Sequence, residues 1–217
     1  MAKIISGREA AALVTPGSRI MVSGFLACGA PAWLLDCIVE AGPKDLHLVA
    51  ISTDYDDRGI GRLITAKLVK SCQVSHIGTN KTTQAQYKSK ELAIEFVPQG
   101  ILMERIRCHG AGLGGVFSPV GVGTPVADGK ETLTENGKTF ILERPISADV
   151  ALIKARKADT LGNLVYSKMA RNCNPIMAMG APITIVETDE IVEPGQLDPE
   201  EVVTPGCLVQ YLVRKGE

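Results

Sequence analysis

Short apolar runs alternate with helix-like segments at intervals of roughly 20–30 residues, and this alternation restricts the fold more than any single residue does. Arg19–Ser23, Leu46–Ile51, Cys72–Ile77 and Ala93–Val97 read as strands. Between and after them, Pro31–Ala41, Gly61–Val69 and Thr79–Lys90 read as helices. Gly100–Cys108 reads as an amphipathic helix with Ile101, Leu102 and Ile106 turned inward. The series predicts βαβ units and a mainly parallel sheet, hence an α/β fold. Punctuation supports the boundaries. Ser6-Gly7-Arg8-Glu9 is a capping-box pattern that opens a helix through Val14, Pro16-Gly17 stops it, and Gly42-Pro43 ends the next one. The later part changes character. Thr132–Phe140 alternates around Asn136-Gly137, a strong short hairpin signal. Asp149–Lys154 and Pro182–Glu187 read as further core strands, with a helix near Asn174–Met179 between them.

At 217 residues, with no repeat, low-complexity segment or linker, the chain is expected to form one domain over 1–217. A net charge of −1 gives no electrostatic reason to expect nucleic acid or an anionic membrane as partner. No apolar run is long enough to span a bilayer, and the first residues lack the apolar core of a signal peptide, so the cytoplasm is the expected location. Six cysteines and three histidines are scattered without metal-ligand spacing, so no metal site is expected and the cysteines read as reduced thiols.

Chemistry is expected where glycines follow apolar runs. Ile20–Val22 leads into Ser23-Gly24-Phe25-Leu26-Ala27-Cys28-Gly29-Ala30-Pro31, with Pro31 at a helix start. Such a junction aims backbone N–H groups at whatever lies above it, which suits an anion or an oxyanion. Ser75-His76-Ile77-Gly78-Thr79-Asn80 ends another strand. The third stretch runs from Val97-Pro98-Gln99-Gly100 through His109-Gly110-Ala111-Gly112-Leu113-Gly114-Gly115 to Gly121-Val122-Gly123-Thr124. Ligands of open α/β sheets sit beyond the carboxyl ends of the strands, so three such loops are expected to line one wall.

These segments resemble the α subunit of the short-chain acyl/3-oxoacid coenzyme A transferases, the family that includes acetate and butyrate–acetoacetate CoA-transferases. The family's G-G-F-x-x-x-G-x-P signature stands here as Ser23 to Pro31. Pro98-Gln99-Gly100, Glu104-Arg105-Ile106-Arg107, Gly110–Gly115, Gly121–Thr124 and Thr204-Pro205-Gly206 also fit, and the likeness runs from about residue 3 to 213. The resemblance implies a three-layer α/β fold shared with sugar-phosphate isomerases, and an obligate β subunit in an α2β2-type assembly. It implies a ping-pong transfer of CoA between an acyl-CoA and a carboxylate through a glutamyl–CoA thioester, the glutamate being on β. This chain then carries no nucleophile and no permanently bound cofactor, with coenzyme A arriving as acyl-CoA substrate. Ser23, Gly24, Phe25, Leu26, Ala27, Cys28 and Gly29 match the CoA-binding loop. Gln99 matches a glutamine near the reacting carboxylate, where an amide donor is expected, and Asn80, Gly100, His109, Gly110, Ala111 and Gly112 are expected on the substrate wall. Ser23 and His109 stand where the family has glycine.

Rival readings are a sugar-phosphate isomerase of the same fold and a binding or regulatory module without catalysis. Three further motifs are set aside. Gly110–Gly115 satisfies G-x-G-x-x-G but lacks the strand before and the helix after that dinucleotide binding needs. Glu135, beside Asn136-Gly137, is expected at an exposed hairpin tip rather than in a nucleophile's pocket. Asp54-Tyr55-Asp56-Asp57-Arg58-Gly59 starts like a calcium loop but fails the ligand count, and reads as a solvated acidic turn. Trp33 is expected in the core.

Overall fold

A computed structural model describes residues 1–217. The first half alternates as the apolar runs require: β1 (Lys3–Ile4), α1 (Gly7–Ala12), β2 (Arg19–Val22), α2 (Ala32–Ala41), β3 (Leu46–Val49) and α3 (Gly61–Thr65). Next come β4 (Val69–Val74), α4 (Lys81–Lys88), β5 (Ala93–Phe96) and α5 (Gln99–Gly110). An antiparallel excursion follows, made of β6 (Val116–Ser118), β7 (Thr132–Glu135) and β8 (Lys138–Glu143). The chain then returns through β9 (Val150–Asp159), β10 (Leu164–Val165), α6 (Asn174–Met177), β11 (Ile183–Val192) and β12 (Tyr211–Arg214).

The main sheet runs β1-β12-β11-β9-β2-β3-β4-β5, every neighbouring pair parallel, with β10 antiparallel against β9. Alternating side chains on each strand feed two cores, which is why the molecule has three layers. Ile20, Val22, Leu48, Leu152, Ile185 and Val213 pack beneath α1, α2 and α3 with Leu34, Leu35, Ile38, Leu63 and Ile64. Met21, Val49, Ala151, Ile153, Val186 and Leu212 turn to the other face, under Ile101, Leu102 and Ile106 of α5 and Met177 of α6. Trp33 lies against the first core, and a Cβ on Gly7 would run into its ring, so the indole is a packing residue of the α1–α2 contact.

Some boundaries differ from expectation for local reasons. The helix expected over 61–69 stops at Thr65, because Lys67 takes a positive φ of 53° and β4 then starts at Val69 rather than Cys72. β1 and β12 were not anticipated. Both residues of β1 are exposed, so it carries no apolar signal and exists through its pairing with β12. β9 and β11 outrun the expected strands because they continue to pair with one another as far as Asp159 and Val192, where polar residues interrupt the pattern. The hairpin is as read. Asn136 and Gly137 take φ of 50° and 74°, the type I′ geometry, and Glu135 opposes Lys138 at an exposed tip.

Candidate functional site

Strand order reverses at β2. The chain leaves it towards β3, β4 and β5 on one side, and later fills the other side with β9, β11 and β12. Helices on opposite faces follow the two central strands, so a crevice opens above β2 and β9, where open α/β sheets take ligand. Ser23–Pro31 occupies that place.

The loop is a tight clasp. Phe25 and Cys28 exchange backbone hydrogen bonds of 3.0 Å each way, so Leu26 and Ala27 form a two-residue turn. Both have positive φ, 50° and 66°, although neither is glycine, which costs about 1–2 kcal/mol each. Such strain persists where the surroundings over-determine it. Here the determinant is the 167–174 segment. Asn174 is fully buried; its Nδ2 donates to the Gly29 carbonyl at 3.0 Å and the Ala170 carbonyl at 2.8 Å, and its Oδ1 accepts the Lys154 N–H at 2.8 Å. Asn172 Nδ2 donates to the Cys28 carbonyl at 2.8 Å. Gly29 must be glycine: its φ is +76°, and a Cβ there would stand 2.5 Å from the Ala170 carbonyl oxygen. Cys173 Sγ accepts the Gly24 N–H at 3.3 Å, and burial pushes this thiol up to about 11. The Ser23 hydroxyl is buried and donates to the Gly29 carbonyl at 3.2 Å, so the serine ties the clasp shut and offers nothing outward. Phe25 and Cys28 are the exposed members, and the N–H groups of Ala27 and Gly29 donate to nothing in the chain.

A second clasp, which no sequence repeat announces, lies beside the first. Tyr55 bridges to Arg58 as Phe25 does to Cys28, each followed by a glycine of positive φ, Gly59 and Gly29. The acidic turn is therefore not merely solvated. Asp54 is fully buried, accepting from Ser52 Oγ at 2.7 Å and the Ile60 N–H at 3.0 Å. Asp56 accepts the Thr82 N–H at 2.8 Å, and its bonds with Thr82 hold the carboxyl below its ordinary value. Leu26 N–H reaches Ser52 Oγ at 3.4 Å, Ser52 bridges to His76, and β4 pairs with β5, which leads to Gln99. The carboxyl edge thus carries a row from the first clasp to Gln99, which is exposed and has no hydrogen-bond partner for its amide.

Five of the expected wall residues stand elsewhere. Asn80 is fully buried; its Oδ1 caps α4 through the Thr83 N–H at 2.6 Å and its Nδ2 donates to the Thr53 carbonyl at 3.0 Å. It supports the second clasp from beneath. His109, Gly110, Ala111 and Gly112 close α5 at the end away from Gln99 and Gly100. A helix that follows a parallel strand runs back along it, so twelve residues carry the chain about 18 Å to the opposite edge of the sheet. Gly110 packs there on Met179, just before β11 begins, and the glycines beyond it lead into the antiparallel excursion, not a helix. The three glycine-rich stretches therefore do not form one wall within this chain.

The base of the crevice is charged. Glu187, fully buried, accepts the Leu34 N–H in the first turn of α2 at 3.0 Å and the Lys154 ammonium at 3.0 Å, while Asp189 takes a second bond from Lys154 at 2.9 Å. Burial by itself lowers Lys154, but the bond to Asp189 and the charge of Glu187 outweigh it and hold the ammonium above its ordinary value. The positive end of α2 is thus met by the chain's own carboxylate. No three His, Cys, Asp or Glu side chains stand together as metal ligands, and no helix is long and apolar enough to cross a membrane.

A clasped glycine loop at the strand-order reversal defines the class: an open parallel α/β protein that takes its ligand at the carboxyl edge. The acyl-CoA transferase of Escherichia coli O157:H7 has the same fold, with a TM-score of 0.85 at 20 % identity over 98 % of this chain and 47 % of that one. This chain therefore spans about half of that longer polypeptide, at 47 %. Glutaconate coenzyme A-transferase of Acidaminococcus fermentans superposes with a TM-score of 0.84 at 21 % identity, over 98 % of this chain and 75 % of that one. The family model described as Coenzyme A transferase matches residues 5–215, and the chain belongs to that family. It is 48 % identical to acetate CoA-transferase subunit alpha of Escherichia coli K12, over 99 % of this chain and 98 % of the relative. It is 41 % identical to the acetoacetyl-CoA:acetate/butyrate CoA transferase alpha subunit of Clostridium acetobutylicum, over 98 % of each.

Proposed function

We propose that this chain is the α subunit of a two-subunit, α2β2-type CoA-transferase. It moves coenzyme A from a short-chain acyl-CoA to a short-chain carboxylate of the acetate, butyrate or acetoacetate kind. The observation that carries the reading is the end-to-end correspondence with chains that are themselves named alpha subunits. The carboxylates of the rim agree with it. Asp54 and Glu187 are buried and hydrogen-bonded, Asp56 is tied to α4, and Glu135 sits at a hairpin tip. None is poised to attack a thioester, which agrees with a nucleophilic glutamate carried by the β subunit, as the family resemblance implies.

In this scheme residues 1–217 act as one cytoplasmic domain, with acyl-CoA as substrate and no resident cofactor. Attack on the thioester places negative charge on its carbonyl oxygen. Preorganised N–H donors at such an oxygen are worth about 3–4 kcal/mol apiece in comparable sites. The unpaired N–H groups of Ala27 and Gly29 are the donors this chain can offer, while Phe25, Leu26 and Cys28 flank the CoA thioester. Gln99 donates its amide to the substrate carboxylate, beside Gly100, where the missing Cβ leaves room. His109–Gly112 have no part in this crevice. An isomerase would need a free acid/base pair beside a phosphate loop, and the rim carboxylates are already engaged.

Co-expression with the β subunit, an acyl-CoA/carboxylate exchange assay and borohydride trapping of the glutamyl thioester test the proposal. Exchange by the complex, with the label on β, is expected. Exchange by this chain unaided, or a label on it, overturns the division of labour.

A further inference from the structure

We infer that His76 is a specificity-determining residue of the site, its imidazole binding the substrate carboxylate on the side opposite Gln99; this rests on the CoA-transferase reading. His76 stands two residues beyond β4, bridged to Ser52, in the row that joins the first clasp to Gln99. Its backbone is held on one side: the His76 N–H donates to the Ile51 carbonyl at 3.2 Å and its carbonyl accepts the Thr53 N–H at 3.2 Å. On the other side the β4–β5 pairing ends at Val74 opposite Phe96, two residues before His76 and three before Gln99, so the two residues leave neighbouring strands at the same edge of the sheet. Where that pairing ends the two strands are about 4.8 Å apart. A carboxylate has two acceptor oxygens and can take a donor from each side.

The ring has no partner within the chain. His76 is exposed and no side chain or backbone group bonds its imidazole, whereas His47 is paired with Ser71 Oγ at 2.7 Å and His109 lies at the far edge of the sheet. The imidazole lies over Gly78: a Cβ there would stand 2.8 Å from His76 Nε2. Gly78 itself is anchored through its carbonyl, which accepts from Gln84 Nε2 at 3.1 Å. A neutral imidazole always has one N–H to donate. The carboxylate sources this geometry serves are the short acids themselves, bound as acceptors in the second half-reaction.

The test uses the co-expressed α–β complex with acetate as probe. Losing a hydrogen bond to a charged group raises KM about ten-fold or more. His76→Ala is expected to do this for acetate while the acyl-CoA KM stays within about two-fold, and His76→Gln, which keeps a donor, is expected to recover most of the loss. Gly78→Ala supplies an independent perturbation. Its backbone is not in the left-handed region, and the added methyl displaces the ring without deleting it, so the acetate KM rises again. An acetate KM unchanged in both His76→Ala and Gly78→Ala, with wild-type exchange intact, overturns the assignment of His76 alone. Equal rises in both KM values mark a structural role and also overturn it. Absence of exchange by the wild-type complex overturns the CoA-transferase reading and this inference with it.

Discussion

Replacing Asn174 by alanine removes three hydrogen bonds at once, those to the Gly29 and Ala170 carbonyls and from the Lys154 N–H, at a fully buried position. At about 1 kcal/mol for each bond the loss is about 3 kcal/mol. The orphaned Lys154 N–H adds to it, because water does not reach the site. Asn172 makes four bonds, donating to the Cys28 and Met169 carbonyls and accepting the Cys173 N–H at 2.7 Å and the Cys173 thiol at 3.2 Å, but it is half-exposed. Water replaces what Asn172→Ala removes, so its loss is expected near 1 kcal/mol. For a chain of this length, about 2–4 °C in Tm accompanies each kcal/mol. Thermal unfolding of the α–β complex at one fixed subunit concentration should therefore separate the variants, with Asn174→Ala lower by about 6–12 °C and Asn172→Ala by about 2–4 °C. Turnover should fall in the same order, because a clasp displaced by about 1 Å can cost on the order of 100-fold. Equal Tm losses in the two variants would refute the argument that burial, not bond count, fixes the Gly24–Gly29 loop.

Gln99→Ala should leave Tm unchanged, because its amide is exposed and unpartnered, yet lower kcat of the complex about ten-fold or more; unchanged kinetics would remove it from the site. Thiol labelling of the native chain at pH 8 should modify Cys28 and Cys207, which are exposed, and spare Cys72 and Cys173, whose thiols burial pushes up to about 12 and about 11. Rapid labelling of Cys173 in folded protein would mean that the clasp opens. Asp56 titrates below its ordinary 3.8 in the folded chain, so its contribution is complete above that value and is lost as pH falls through the lower folded value. Urea unfolding followed from pH 5 downward should show Asp56→Asn with a shallower acid loss than wild type; identical slopes would remove Asp56 as a source of that loss.

The sequence by itself determined the layers and the location of the first loop. Apolar runs such as Ile20–Val22 and Leu46–Ile51 are local signals, and a glycine turn ahead of Pro31 is equally local. The hairpin at Asn136-Gly137 was legible for the same reason, since two residues with positive φ specify it. The tertiary structure decided which loops meet. The glycines at 110–115 look like those at 24–29 in composition, but the direction of α5 sends them to the opposite edge of the sheet. Asn174 holds the clasp from 145 residues away in sequence, and Asp54 is buried by contacts with Ser52 and Ile60 that no acidic-turn pattern encodes. Whether a polar side chain faces substrate or only supports a loop depends on what else it bonds. Asn80 and Ser23 are used up inside the fold while His76 and Gln99 remain free, a distinction that appears once the strands are placed side by side.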